Sequence, residues 1–287
     1  MSATESFPEQ KYLITPATLK ARLGDVTLLD LRPAEDFAVG HIEGSRPLDL
    51  YGVSLNDSSE APLNAFLAIF KTLFGARGVT AERPVVVYDH ESGERAARAG
   101  WLLAVLGHPD VRMLDGGSHA WAAAGERLVR LENAPPPVDP AKAPPTAPPF
   151  RGSIDIGLLA TRFDVHAAIG TPRSVIVDER RDSEYRGTEK RARRAGTIPG
   201  AVHVFWREHI GADGAMRPAD EIRALYASRG VTPDKTIIPV CQGGYRSAST
   251  FVALRSLGYP DVRNYVASWG EWGNRDDSVI VVPAAPD

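Results

Sequence analysis

One cysteine in 287 residues, Cys241, excludes any disulfide within the chain and makes a reducing compartment, the cytoplasm, the expected home. A net charge of -3 leaves no basic surplus for nucleic acid, so no nucleic-acid partner is expected. No apolar stretch approaches the length that spans a bilayer, so no membrane partner is expected. Met1 to Gln10 lack a basic segment followed by an apolar run and do not read as a signal peptide. What is present is globular: 24% charged and 43% apolar residues, in a chain long enough for two domains with separate cores.

The lone cysteine sits in the most informative stretch. Thr236-Ile237-Ile238-Pro239-Val240 reads as a buried strand. Cys241-Gln242-Gly243-Gly244-Tyr245-Arg246-Ser247 follows, and a helical pattern then runs to Leu257 and stops at Gly258. A strand, a Gly-rich loop and a helix N-terminus aim successive backbone N–H groups at one point, where an anion is favoured. A thiol there should ionise below its free value of about 8.5, because the loop stabilises the thiolate. A small buried hydrophobe is the plain alternative for a lone cysteine. Gly243, Gly244 and the cation of Arg246 argue for a nucleophile instead.

The chain also repeats itself. Val26 to Arg32 ends in Asp30-Leu31-Arg32, and Val175 to Arg180 ends in Asp178-Glu179-Arg180. Gly40-His41-Ile42-Glu43-Gly44-Ser45 has its echo in Gly196-Thr197-Ile198-Pro199-Gly200-Ala201. Leu106 to Arg112 matches Leu257 to Arg263, and Trp121 matches Trp272. A constant offset of 151 from His90 to Trp121 places His90 opposite Cys241. Strands alternating with helical segments, among them 63–74 and 96–106, imply a mainly parallel sheet with helices on both faces in each copy. Ala134 to Pro149 holds eight prolines and reads as an extended connector. The expected division is domain 1–134, linker 135–150 and domain 151–287.

The Asp-x-Arg strand ends, the Gly-(His/Thr)-Ile-x-Gly-(Ser/Ala) segments, the Cys-x-x-Gly-x-Arg-Ser loop and the Gly-(His/Tyr)-x-x-Val segments resemble the rhodanese family over nearly the whole chain. The resemblance implies two rhodanese-like α/β domains and a sulfurtransferase working by double displacement. A small anionic donor, thiosulfate or 3-mercaptopyruvate, gives its outer sulfur to Cys241. Cyanide or a thiol, including a protein thiol such as thioredoxin, then removes it. No cofactor or metal is expected. Backbone N–H groups from Gln242 to Ser247 are the expected cradle for the persulfide. Arg246 is expected to attract the donor, and Arg180 is a second candidate, with a salt bridge to a nearby carboxylate as its alternative role. Asp178 is expected to pair with an arginine or to orient the loop.

The first copy, with His90 in place of the nucleophile, is expected to be structural. A proton-donating role for His90 is the alternative. Glu184 stands where related tandem enzymes carry a donor-binding arginine, with Arg186 two residues on. The insert Lys190 to Arg194 either steers anions or is a solvated loop. The five tryptophans are expected to pack in the core or at the interface. A phosphatase loop on this fold has its arginine six positions after the cysteine; here Arg246 follows by five. A redox sensor would lack a resolving cysteine, and a binding module would have no need of the cysteine. Arg246 tips the donor preference toward thiosulfate.

Overall fold

The structure, a computed structural model, describes residues 3–8, 11–131 and 147–284. Most of the proline-rich connector therefore lies outside the described residues. The first domain runs β1 (Leu13–Ile14), α1 (Pro16–Lys20), β2 (Thr27–Asp30), α2 (Ala34–Val39), β3 (Arg46–Pro47), α3 (Glu60–Gly75), β4 (Val85–Tyr88), α4 (Glu94–Val105), β5 (Val111–Leu114) and α5 (Gly117–Ala123). The second runs β6 (Leu159–Ala160), α6 (Arg162–Ala168), β7 (Ser174–Asp178), α7 (Asp182–Tyr185), β8 (Val202–His203), α8 (Ala219–Ala227), β9 (Thr236–Val240), α9 (Arg246–Ser256), β10 (Asn264–Tyr265) and α10 (Ser268–Trp272). Among these residues no helix is long and apolar enough to cross a membrane.

The element orders match one for one, and so do the sheets. The first is parallel in the order β1-β5-β4-β2-β3. β4 is Val-Val-Val-Tyr, buried throughout, the composition of a parallel strand covered on both faces. The second copy has the equivalent strands as β8-β7-β9 and β10-β6, joined by a single parallel bridge between Ile237 and Val262. Pro239 accounts for the break. In the first sheet Val87 continues the ladder to Met113. Pro239 occupies the matching place on β9 and has no N–H to offer in that direction.

The domains meet through α4 and α9, which pack on each other. Residues 96–105 of α4 are all buried, as are nine residues of α9, so neither helix has a solvent face of ordinary width. Small residues (Ala96, Ala97, Ala99, Ala248, Ser249 and Ala253) line them, and one hydrophobic cluster runs through both domains. The five tryptophans are all buried.

The chain boundaries are less tidy than the repeat suggests. Residues 150–158 lie on the first domain: Phe150 N–H donates to the Lys71 carbonyl, Asp155 N–H to that of Val105, and Trp101 Nε1 to that of Leu158. At the other end, Ala219 N–H donates to Ser6 Oγ, tying the N-terminal segment to the second domain.

Candidate active site

Cys241 follows directly on β9 and is 1% exposed, at the floor of a cleft of about 390 Å³ between the domains. The first domain contributes Tyr51, Gly52, Ser54 and Glu94 to the walls. The second contributes Arg181, Arg191, Phe205, Trp206 and the loop from Gln242 to Arg246, apart from Gly244. The loop turns back over the sulfur: Gly244 N–H donates to Sγ at 3.1 Å and Ser247 Oγ–H at 3.3 Å. Gly244 has φ +79°, and a Cβ there would stand 2.6 Å from the Val266 carbonyl oxygen, so only glycine makes this turn without strain. Burial alone would push the thiol up. The charge of Arg246, the Ser247 hydroxyl and the N–H groups of Ser247 and Gly243 outweigh it and bring the thiol below its ordinary value.

Ser268 holds the site from behind and was not singled out by its sequence. Its hydroxyl accepts the Cys241 N–H at 3.1 Å and donates to the Tyr265 carbonyl at 2.8 Å. At φ +51° it is the sole non-glycine residue of positive φ among the described residues. Its counterpart in the first copy is Gly117, at φ +56°. A left-handed serine costs on the order of 1 kcal/mol or more, and the hydroxyl it supplies to the loop is the visible return.

Not every expected residue points at the sulfur. Gln242 is half-buried in the cleft wall, its Nε2 donating to the Arg191 carbonyl. Tyr245 crosses to the first domain, where its hydroxyl donates to the Leu50 carbonyl at 2.7 Å. Arg180 does not reach the cleft. Its guanidinium holds Asp178 through Nε and Nη2, donates to the Gly196 carbonyl and lies over the Trp269 ring, leaving the side chain 2% exposed. Of its two expected roles, the geometry gives the ion pair with Asp178. The repeat shows the same device, since Arg32 holds Asp30 and the Gly40 carbonyl.

Arg246 lines the cleft but is not free. It binds Glu184 through both terminal nitrogens, at 2.7 and 3.0 Å, and Glu184 is buried. Arg181 and Arg191 stand 3.3 and 3.7 Å from the same carboxylate. Glu184 thus gathers three arginines at the cleft, while Glu189, bonded to Arg181 at 2.8 Å, and Glu94, on the facing wall, offset their charge. Arg186 turns away to Asp182 and the Ala284 carbonyl. The basic insert divides: Arg191 faces the cleft, while Arg193 pairs with Asp276 and Arg194 with the Arg275 carbonyl.

The hydrogen bonds also correct the register between the copies. Trp269 N–H donates to the Cys241 carbonyl and Gly270 N–H to that of Gln242. The equivalent donors, Ser118 and His119, reach the carbonyls of Asp89 and His90. Asp89, not His90, therefore occupies the position of Cys241, and the first loop is one residue longer before Gly93. Asp89 also fills its own nest, accepting N–H groups of Glu91, Gly93 and Ala96. His90 instead contacts Asp36 at 3.1 Å.

Fold and site together define a two-domain α/β protein with one buried thiol, shifted toward its thiolate, in an interdomain cleft. The rhodanese-like domain family matches residues 15–124 and 161–275. The thiosulfate sulfurtransferase of Pseudomonas aeruginosa is 35% identical over 278 residues, covering 96% of this chain and 99% of that protein. The sulfur carrier protein TtuD of Thermus thermophilus is 32% identical, covering 97% and 98%. Among solved structures, YnjE superposes with a TM-score of 0.79 at 23% identity, over 97% of this chain and 70% of that one. EanB gives 0.80 at 20%, over 97% and 71%, a likeness of fold alone. The chain belongs to the rhodanese family, as a tandem-domain sulfurtransferase.

Proposed function

We propose that this protein moves a sulfane sulfur from thiosulfate to cyanide or a thiol through a persulfide on Cys241. The observation that carries the reading is the thiol itself: buried in the cleft, held by Gly244 and Ser247, and shifted toward its thiolate. The thiolate attacks the outer sulfur of the donor. A new S–S bond forms, the donor's own S–S bond breaks, and its electron pair leaves with sulfite. The persulfide anion then lies within the amide turn that held the thiolate. A cyanide carbon or an incoming thiolate attacks the outer sulfur, and the electron pair of that S–S bond returns to Cys241.

An anionic donor suits the guanidinium groups of Arg181, Arg191 and Arg246, which line the cleft around Cys241. The names of the Pseudomonas aeruginosa and Azotobacter vinelandii relatives favour thiosulfate among anionic donors. A transfer thiol that has to remain reduced supports a cytoplasmic setting. Cys241→Ser should abolish turnover with the fold intact, because oxygen cannot form the persulfide. Mass spectrometry of donor-treated wild type should find one added sulfur on the peptide containing Cys241. Steady-state rates with thiosulfate and mercaptopyruvate, each against cyanide and thiol acceptors, should favour thiosulfate. Turnover retained by the serine variant would refute the mechanism.

A further inference from the structure

Arg98, on α4 of the first domain, is 1% exposed, yet its Nε and Nη1 have no hydrogen-bond partner and it forms no ion pair among the described residues. Nη2 donates to the Val53 carbonyl at 2.5 Å. The rest of its surroundings are aromatic. The guanidinium lies 3.8 Å from the centre of the Tyr245 ring, 5.5 Å from that of Phe70 and 5.7 Å from that of Phe66. A buried charge without a counter-ion is costly. Burial pushes this guanidinium down to about 10, with Tyr245 and Cys241 pulling the other way, so it remains a cation at neutral pH.

What it faces across the interface is the cysteine loop. Tyr245 lies between Gly244, whose N–H holds the sulfur, and Arg246, which opens α9. The first domain grips this one side chain by its face, on Arg98, and by its hydroxyl, on Leu50. The ring of Tyr51, itself capped by Arg95, stands 5.6 Å from it.

We propose that Arg98 is a positioning residue for the reaction at Cys241, supplied by the domain that lacks a nucleophile. It clamps Tyr245, and with it the amide turn, and places a positive charge behind the loop where thiolate and persulfide develop negative charge. The inference rests on Cys241 being the nucleophile.

Arg98→Met sets an unbranched apolar chain among Phe66, Phe70 and Tyr245, and Arg98→Lys keeps the charge without the flat stack. The probe is the pH dependence of iodoacetamide alkylation of Cys241. The other groups acting on that thiol, Arg246, Ser247, Ser268 and the buried Glu179, are common to all variants. Arg98→Met should move the midpoint up by roughly half to one pH unit, which slows alkylation about three- to tenfold below the midpoint. kcat should fall by a similar factor, with KM for thiosulfate little changed. The melting temperature should hold or rise, since an apolar replacement of a buried charge is often neutral or stabilising. Arg98→Lys should recover most of the midpoint. An unmoved midpoint in folded Arg98→Met overturns the proposal whatever the melting temperature does, and so does a midpoint that Arg98→Lys fails to recover. Alkylation needs no turnover, so either result is distinct from failure of the sulfur-transfer reading, which appears as wild type inert toward thiosulfate.

Discussion

Glu184→Gln preserves the shape of the side chain at the centre of the arginine cluster and removes its charge. Burial alone would raise this carboxyl. The hydrogen bonds and charge of Arg246, the N–H of Arg181 and the charge of Arg180 bring it instead from an ordinary 4.5 to about 2. One pH unit corresponds to about 1.4 kcal/mol, so the ionised carboxylate contributes about 3 kcal/mol to stability at neutral pH. A depressed carboxylate keeps that contribution above its unfolded value, near 4.5, and loses it as the pH falls toward about 2. At about pH 3.5 roughly 2 kcal/mol should remain. Urea unfolding of wild type and Glu184→Gln reads this directly. The variant should be less stable at pH 7, and the gap should narrow by about 1 kcal/mol at about pH 3.5. Arg246 is left without its counter-charge in the variant, so Cys241 should also alkylate at lower pH. A stability gap equal at both pH values, or absent at both, would refute the assignment of the buried ion pair as its source.

Two further outcomes test the loop and the first domain. A glycine inserted between Gly243 and Gly244 should widen the turn and carry Gly244 N–H away from Sγ, from its present 3.1 Å. Sulfur transfer should slow by on the order of tenfold or more, because one charge-assisted hydrogen bond contributes about 1.5–3 kcal/mol, while circular dichroism stays native. Wild type should not hydrolyse an aryl phosphate, and phosphatase turnover that vanishes in Cys241→Ser would overturn the argument from loop size. His90→Ala should leave the maximal rate within a few-fold, since His90 matches Gln242 rather than Cys241 and bonds Asp36. A collapse of activity in a folded His90→Ala protein would contradict a structural role for that residue.

Much of the architecture was legible because its signals are local. The apolar run from Thr236 to Val240 became β9, and the helix after the loop ends at Ser256, two residues before Gly258, which adopts φ +87°. The duplicated Asp-x-Arg strand ends became duplicated buried ion pairs. The loop carries its own chemistry in consecutive residues, so Cys241 stood out without any partner in view.

What the sequence left open depends on residues far apart in the chain. Glu184 and Arg246 are 62 positions apart, and Tyr245 and Leu50 are 195 apart. Nothing local to Arg246 tells that a carboxylate will neutralise it, and nothing local to Arg98 tells that its helix is buried on every side. The register of the first loop was hidden for a related reason. A one-residue difference in a turn leaves both flanking patterns intact, and only the N–H groups of Ser118 and His119 say which carbonyls they meet. Composition and pattern therefore determined the two domains and singled out Cys241 and its loop. Tertiary packing alone decided which charges surround that cysteine, because an ion pair or a cation beneath a ring exists only once distant segments have been brought together and water removed between them.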